Sequence, residues 1–132
     1  MSINKLTFSK EERLCSKKLL TELFTNGSSF LVYPYRITWM VATPEQLMPA
    51  QVMIGVSKKK FKRSVDRNLI KRKIKEAYRL NKAELFYSYL ISGDKKILLS
   101  LNYIGKEILE YGIINTKLKV AFTTLSKHIF TA

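Results

Sequence analysis

Acidic residues are scarce in this 132-residue chain: 10 Asp and Glu stand against 24 Lys and Arg, for a formal net charge of +14. Cysteine and histidine are scarcer still, with one of each, Cys15 and His128. A lone cysteine excludes an intramolecular disulfide and a cysteine-only metal site. One Cys and one His leave no ligand set for zinc and a single candidate pair for Cys–His catalysis. The few acids are scattered, whereas metal-dependent nucleases need clustered carboxylates. An acid–base ribonuclease would want two proton-transfer groups, often histidines, and His128 stands alone near the C-terminus, as a surface or helix-end residue. No run of about 18 apolar residues occurs, so nothing is predicted to span a membrane. The opening stretch, Met1–Arg13, lacks the apolar core of a signal peptide. These absences predict a soluble, cytoplasmic protein with no catalytic residues and no metal site of its own.

What is present is apolar enough to fold. The 46% hydrophobic and 11% aromatic content is unlike a disordered basic tail. The length suits one domain, taken as residues 1–132. A folded domain this basic most often meets a polyanion: RNA, DNA or, less often, an acidic membrane surface. The charge is also concentrated: Lys58 to Lys82 holds 12 basic residues against two acids, Asp66 and Glu76. A solvated helix ordinarily mixes signs and gains i,i+4 pairs. This stretch accepts like-charge repulsion instead, which points to a polyanion-binding surface.

Ser9-Lys10-Glu11-Glu12 has the form of a capping box. It opens a helix to about Thr25, with Leu19, Leu20, Leu23 and Phe24 as its apolar stripe and Asn26-Gly27 as its stop. Cys15 on that helix reads as a small buried or half-buried residue. Tyr33–Ala42 alternates as a half-buried strand does. Tyr33, Tyr35, Ile37, Trp39 and Val41 share one face, with Tyr35, Ile37 and Trp39 taken as core, and Pro34, Arg36, Thr38 and Met40 the other. Gln51–Ser57 is a second strand, expected antiparallel to the first because the link is short.

Ser64 to about Asn81 is the clearest helix, with Ser64 as N-cap and Asp66 suiting its N-terminus. At about 100° per residue, Leu69, Ile70, Ile74, Ala77 and Leu80 fall on one arc, and Arg67, Asn68, Lys71, Arg72, Lys75 and Arg79 on the opposite one. Lys73 lands inside the apolar arc, where it snorkels or contacts a partner. Ala83–Ile91 extends this helix or starts a short second one, ended by Gly93-Asp94. Lys96–Asn102 (KILLSLN) fits a central strand covered on both faces, parallel to one of the two earlier strands. Ile114, Leu118, Ala121, Phe122, Leu125 and Ile129 give a terminal helix to about Phe130. The fold class is α+β, one domain in an α-β-β-(β)-α-β-α order with the bracketed strand unplaced.

Gly55-Val56-Ser57-Lys58-Lys59, then Val65-Asp66-Arg67-Asn68-Leu69-Ile70-Lys71-Arg72-Lys73-Ile74-Lys75-Glu76, carries a more specific signal. It resembles the bacterial ribonuclease P protein component, whose signature is an SKK-like strand end, a short loop and an R-N-R-x-K-R-x-x-R-E-like helix. Glu12-Arg13-Leu14 is similar to the family's RL start, and Leu20-x-x-x-Phe24-x-x-Gly27 to its F-x-x-x-F-x-x-G. The similarity runs over nearly the whole chain. Leu69 stands where the family usually has a second Arg, Leu20 replaces a common Phe, and the loop Lys60-Phe61-Lys62-Arg63 lacks the usual glycine.

The resemblance implies a ribosomal S5 domain 2-like fold with a left-handed βαβ crossover, opposite to the general rule. It implies a subunit of an endonuclease that removes the 5′ leader of precursor tRNA. There the catalyst is RNA, Mg²⁺ is held mainly by RNA and substrate phosphates, and the protein alone is inactive. The expected partners are the catalytic RNA and precursor tRNA, with no membrane and no obligate protein partner. One surface would hold the catalytic RNA: Lys58, Lys59, Lys62, Arg63, Arg67, Asn68, Lys71, Arg72 and Lys75. A cleft beside the first helix would take the leader, with Leu20, Phe24, Arg36 and Thr38.

The residues themselves leave other readings open. A ribosomal or ribosome-assembly protein would show the same basic helix without a processing role. A DNA-binding module would lay the helix in a major groove, but Asn68 is nearly alone there as a base-edge donor among cations. Leu20 and Phe24 either line a cleft or simply pack the first helix onto the sheet.

Overall fold

The computed structural model describes residues 8–130. The ends of the 1–132 domain, and residues 1–7 of the Met1–Arg13 stretch, lie outside the described residues. The apolar run KILLSLN forms strand β4 (Ile97–Tyr103) inside a four-stranded sheet. The other strands are β1 (Ser28–Val32), β2 (Tyr35–Val41) and β3 (Ala50–Val56), and the spatial order is β1-β2-β4-β3. β4 is antiparallel to β2 and parallel to β3, as its position after the long helix requires.

Two expectations change here. Gln51–Ser57 runs opposite to the first strand, but does not lie beside it, because β4 inserts between the two. The unplaced strand is β1, paired with β2 from Ser28↔Trp39 to Val32↔Tyr35. Tyr33 and Pro34 are the turn of that hairpin rather than the start of β2.

Period-two alternation then divides the residues between two layers. Tyr35 and Ile37 of β2, Ala50 and Val52 of β3, and Ile97, Leu99, Leu101 and Tyr103 of β4 point to the main core. That core is closed by helix α2 (Ser64–Lys82) and by the C-terminal helix, numbered α4 below (Tyr111–Phe130). Trp39 is half-buried at its edge, and Val41 is exposed. On α2 the buried residues are Ile70, Ile74, Ala77, Tyr78 and Lys82. Leu80, expected in the core, is exposed, and Tyr78 takes the inward place. Arg63 stands at the N-cap position, so Ser64 is the first helical residue and not the cap. A wide π-helical turn (Ala83–Tyr87) joins α2 to the short α3 (Ser88–Ser92). It lets the consecutive rings of Phe86 and Tyr87 both point inward, and Phe86 stacks on Phe122 with centroids 4.9 Å apart.

The opposite face carries a smaller cluster of Leu14, Leu23 and Leu98, with Leu19, Leu20, Met40 and Met53 packed against it. It is covered by α1 (Lys17–Asn26). The Ser9–Glu12 pattern makes only a 3₁₀ turn at Lys10–Glu12. The Glu12 carboxylate does reach back to accept from the Ser9 backbone N–H at 2.6 Å. The chain then extends, bridging Arg13 to Val52, and α1 starts anew with Ser16 as its cap. Cys15 lies in that extended break and is exposed, contrary to the expected burial.

Gly27 ends α1 as expected, for a reason of space. Its φ of −73° suits any residue, but a Cβ there would stand 2.4 Å from the Leu23 carbonyl oxygen and 3.0 Å from that of Trp39. Gly27→Ala is therefore expected to destabilise the fold by about 1–3 kcal/mol through overpacking against backbone, read as a lower Tm in thermal denaturation.

Candidate nucleic-acid interface

The basic segment splits into side chains turned inward and side chains left in water. After β3, Ser57 closes a turn: its hydroxyl accepts from the Lys59 N–H at 3.1 Å and its carbonyl from the Phe61 N–H at 3.1 Å. Phe61 is buried, its ring 6.0 Å from that of Tyr103. Lys60 donates to the Ile104 carbonyl at 2.7 Å. Arg67 Nη1 donates to the carbonyls of Phe61 (2.7 Å) and Lys62 (2.8 Å). Lys73, which the periodicity puts on the apolar side, reaches out to the Leu109 carbonyl at 2.9 Å. Three cations of the run therefore tie loops to the fold.

Lys82, at the end of α2, is buried. Apart from Arg79, the remaining cations form one array. Lys58, Lys59, Lys62 and Arg63 are exposed on the loop, and Asn68, Arg72 and Lys75 on α2, with Lys71 half-buried beside them. Their buried counterpart is the Ile70, Ile74 and Ala77 face of the same helix. Glu76 is committed elsewhere: its carboxylate takes Arg79 Nη2 at 2.5 Å. That hydrogen bond holds the Glu76 carboxyl below its ordinary value. The pair neutralises the far end of α2 and leaves the near end positive. Leu69 is half-buried at the edge of the apolar face, as its arc predicts.

The four cleft residues behave differently from one another. Leu20 is half-buried in the small cluster, as packing alone would have it. Phe24, one turn on, is 57% exposed and packs no core. Arg36 is exposed, while Thr38 is buried and its hydroxyl shares a 2.9 Å hydrogen bond with Ser29. The register adds neighbours that the sequence does not reveal. Arg36 pairs with Leu31 of β1 on one side and Asn102 of β4 on the other, and Asn102 pairs with Gly55. A Cβ at Gly55 would sit 3.0 Å from Asn102 Oδ1, so the glycine leaves room for that amide. Leu31, Arg36, Asn102 and Gly55 thus make a strip across the sheet on the side that α1 covers.

Among the described residues, no three Asp, Glu, His or Cys side chains come together as metal ligands. Cys15 precedes α1 on one side of the sheet, and His128 lies in the last turn of α4 on the other. The His128 ring lies tilted by 32° against Phe30, centroids 4.5 Å apart, at the protein surface. None of the described helices is long and apolar enough to cross a membrane.

Comparison with known proteins is consistent over both sequence and fold. The family model described as Ribonuclease P matches residues 8–105. The ribonuclease P protein component of Citrifermentans bemidjiense is 34% identical over 120 residues, 91% of this chain and 93% of the relative. That of Porphyromonas gingivalis is 39% identical over 74 residues, 56% of this chain; the match spans about half (54%) of that relative's length. Among solved structures, the RNase P protein of Staphylococcus aureus superposes with a TM-score of 0.66 at 18% identity, covering 86% of this chain and 94% of that one. The protein from Thermotoga maritima gives 0.66 at 19% identity, covering 86% and 96%. The split basic helix, the four-stranded α+β sheet and a family match over residues 8–105 agree, and the chain belongs to the ribonuclease P protein component family.

Proposed function

We propose that this protein is the RNA-binding subunit of a ribonuclease P holoenzyme, assisting endonucleolytic removal of the 5′ leader from precursor tRNA. The carrying observation is the cation array of the loop and α2, which has almost no carboxylate to answer it, on a helix whose other face is locked in the core. Arg63 and Arg72 suit phosphate oxygens as planar forks, and Lys58, Lys59, Lys62, Lys71 and Lys75 as mobile point charges. Asn68 adds a donor and an acceptor within the row. Arg67 belongs to the same face and also serves the loop. This surface holds the catalytic RNA.

The leader lies along the strip beside α1. The exposed Phe24 ring offers a stacking face for an unpaired base, Arg36 meets phosphate or stacks, and Leu20 and Thr38 form the floor. Bond cleavage belongs to the RNA. Magnesium sits mainly on RNA and substrate phosphates.

The test is cleavage of precursor tRNA by the cognate catalytic RNA at low magnesium, with and without the protein. Substrates with a leader of normal length and with a single-nucleotide leader are compared. The mixture is expected to cut faster at the mature 5′ end, chiefly for the longer leader, with protein alone inert. RNA binding without any rate change would favour a ribosomal or assembly role. Cutting by nuclease-treated protein alone would refute the absence of a protein active site.

A further inference from the structure

We infer that Arg67 is a positioning residue, which sets the cationic loop in its RNA-binding shape before RNA arrives. This rests on the reading that the loop and α2 hold the catalytic RNA. The loop carries Lys58, Lys59, Lys60, Lys62 and Arg63 within six residues. Such a segment repels itself and, left unrestrained, extends into water. Ordering it on binding would cost conformational entropy for every residue fixed, so a pre-shaped loop binds more tightly than a mobile one.

Beyond the Ser57 turn, the structure fixes it at three points. The Phe61 ring is buried against Tyr103, Lys60 is bonded to the Ile104 carbonyl, and Arg67 Nη1 holds the carbonyls of Phe61 and Lys62 together. The third point bears on the two exposed cations that follow Phe61, Lys62 and Arg63, because it pulls the backbone carbonyls of Phe61 and Lys62 inward. It also spends a guanidinium within a stretch already rich in positive charge, where electrostatics alone would favour an acid. The geometry therefore serves the carbonyls. Lysine at this position would keep the charge but lacks the planar, two-hydrogen nitrogen that reaches both oxygens.

Two readings of Arg67 make different numbers. If it is only one more phosphate contact, its loss lowers the slope of log K against log salt by about 0.9, as for Lys71→Ala, and Arg67→Lys leaves the slope unchanged. If it positions the loop, Arg67→Lys conserves charge and yet lowers the slope by about 1.8 or more, two contacts' worth. Adding Lys62→Ala to Arg67→Lys should then change little, because the Lys62 contact is already lost.

The experiment is a salt series of binding to the cognate catalytic RNA for wild type, Arg67→Lys, Lys62→Ala, the double variant and Lys71→Ala. It is paired with amide hydrogen exchange at Phe61 in the protein without RNA. The expected results are the larger slope loss, non-additivity with Lys62→Ala, and faster Phe61 exchange in Arg67→Lys. A wild-type slope for Arg67→Lys, or additive effects, would overturn the positioning role. If wild-type protein shows no salt-dependent RNA binding, the functional reading fails. The exchange arm still decides the inference about the loop, and unchanged Phe61 protection would sink it.

Discussion

Lys82→Ala is expected to destabilise the protein by about 3–5 kcal/mol, the range for breaking a buried ion pair from one side. At this chain length that is a fall in Tm on the order of 10–20 °C. Lys82 is fully buried at the end of α2 and bonded to Glu12, which is itself 1% exposed. The Tyr87 hydroxyl donates to the same carboxylate at 2.8 Å. The network fastens the segment before α1 to the core, together with the bond from the Leu14 N–H to the Val52 carbonyl at 2.9 Å. Burial by itself would raise the Glu12 pKa; the bonds from Lys82, the Ser9 N–H and Tyr87 outweigh it and leave the value lowered.

A sign follows for pH. A lowered folded pKa makes Glu12 stabilising above the unfolded value, about 4.3, with that contribution lost as pH falls through the folded value. Lys82→Ala removes the main opposing influence and leaves burial to raise the pKa. The variant should then gain stability as pH falls from 7 towards 5, where the wild type gains none from this group. Glu12→Gln with Lys82→Met keeps an acceptor for Tyr87 and the apolar stem, and should recover most of the lost Tm. A single variant that melts like wild type would show that the pair contributes nothing.

Lys71→Ala/Arg72→Ala/Lys75→Ala is the second large effect, and it leaves folding alone. These side chains sit at the exposed or half-buried outer face of α2, and Lys71 and Lys75 are like charges one turn apart. Removing them relieves repulsion of a few tenths of a kcal/mol, so Tm should hold or rise slightly. Binding to the catalytic RNA should lose about 2.7 from its salt slope, and about two to three orders of magnitude in affinity near 0.1 M salt. Filter binding across a salt series, beside a thermal melt, reads both quantities. An unchanged slope would remove α2 from the RNA interface.

The legible parts of this fold are those with local signals. The α2 periodicity and the near-continuous apolar run of β4 each exceed what a turn or a strand of the other type would tolerate. The outward cations follow from the same arc. What stayed hidden is non-local. The insertion of β4 between β2 and β3 depends on pairing across 47 residues to β3 and 56 or more to β2, and β1, with two serines in five positions, has no strong strand signal. The Glu12–Lys82 pair joins residues 70 apart. Glu12 carried a plausible local role as a capping residue, which masked the second one. Leu80 and Tyr78 exchanged places because hydropathy ranks leucine above tyrosine, whereas the core between α2 and α4 is filled by the rings of Tyr78, Phe86 and Phe122. Arg67 was legible as a cation of the interface, but its carbonyl bonds depend on the path of a loop.

The strand order also bears on how this chain is made. Synthesis runs from the N-terminus, so β2 and β3 leave the ribosome well before the strand that separates them. Until Ile97–Tyr103 emerges, neither has its principal hydrogen-bonding neighbour, and the hairpin of β1 and β2 stands alone, too small to be stable. The whole cationic stretch from Lys58 to Lys82 is by then exposed as nascent chain beside ribosomal RNA. Folding is thus postponed to the arrival of one late strand, and any RNA contact before that moment would be made by a chain without its folded shape.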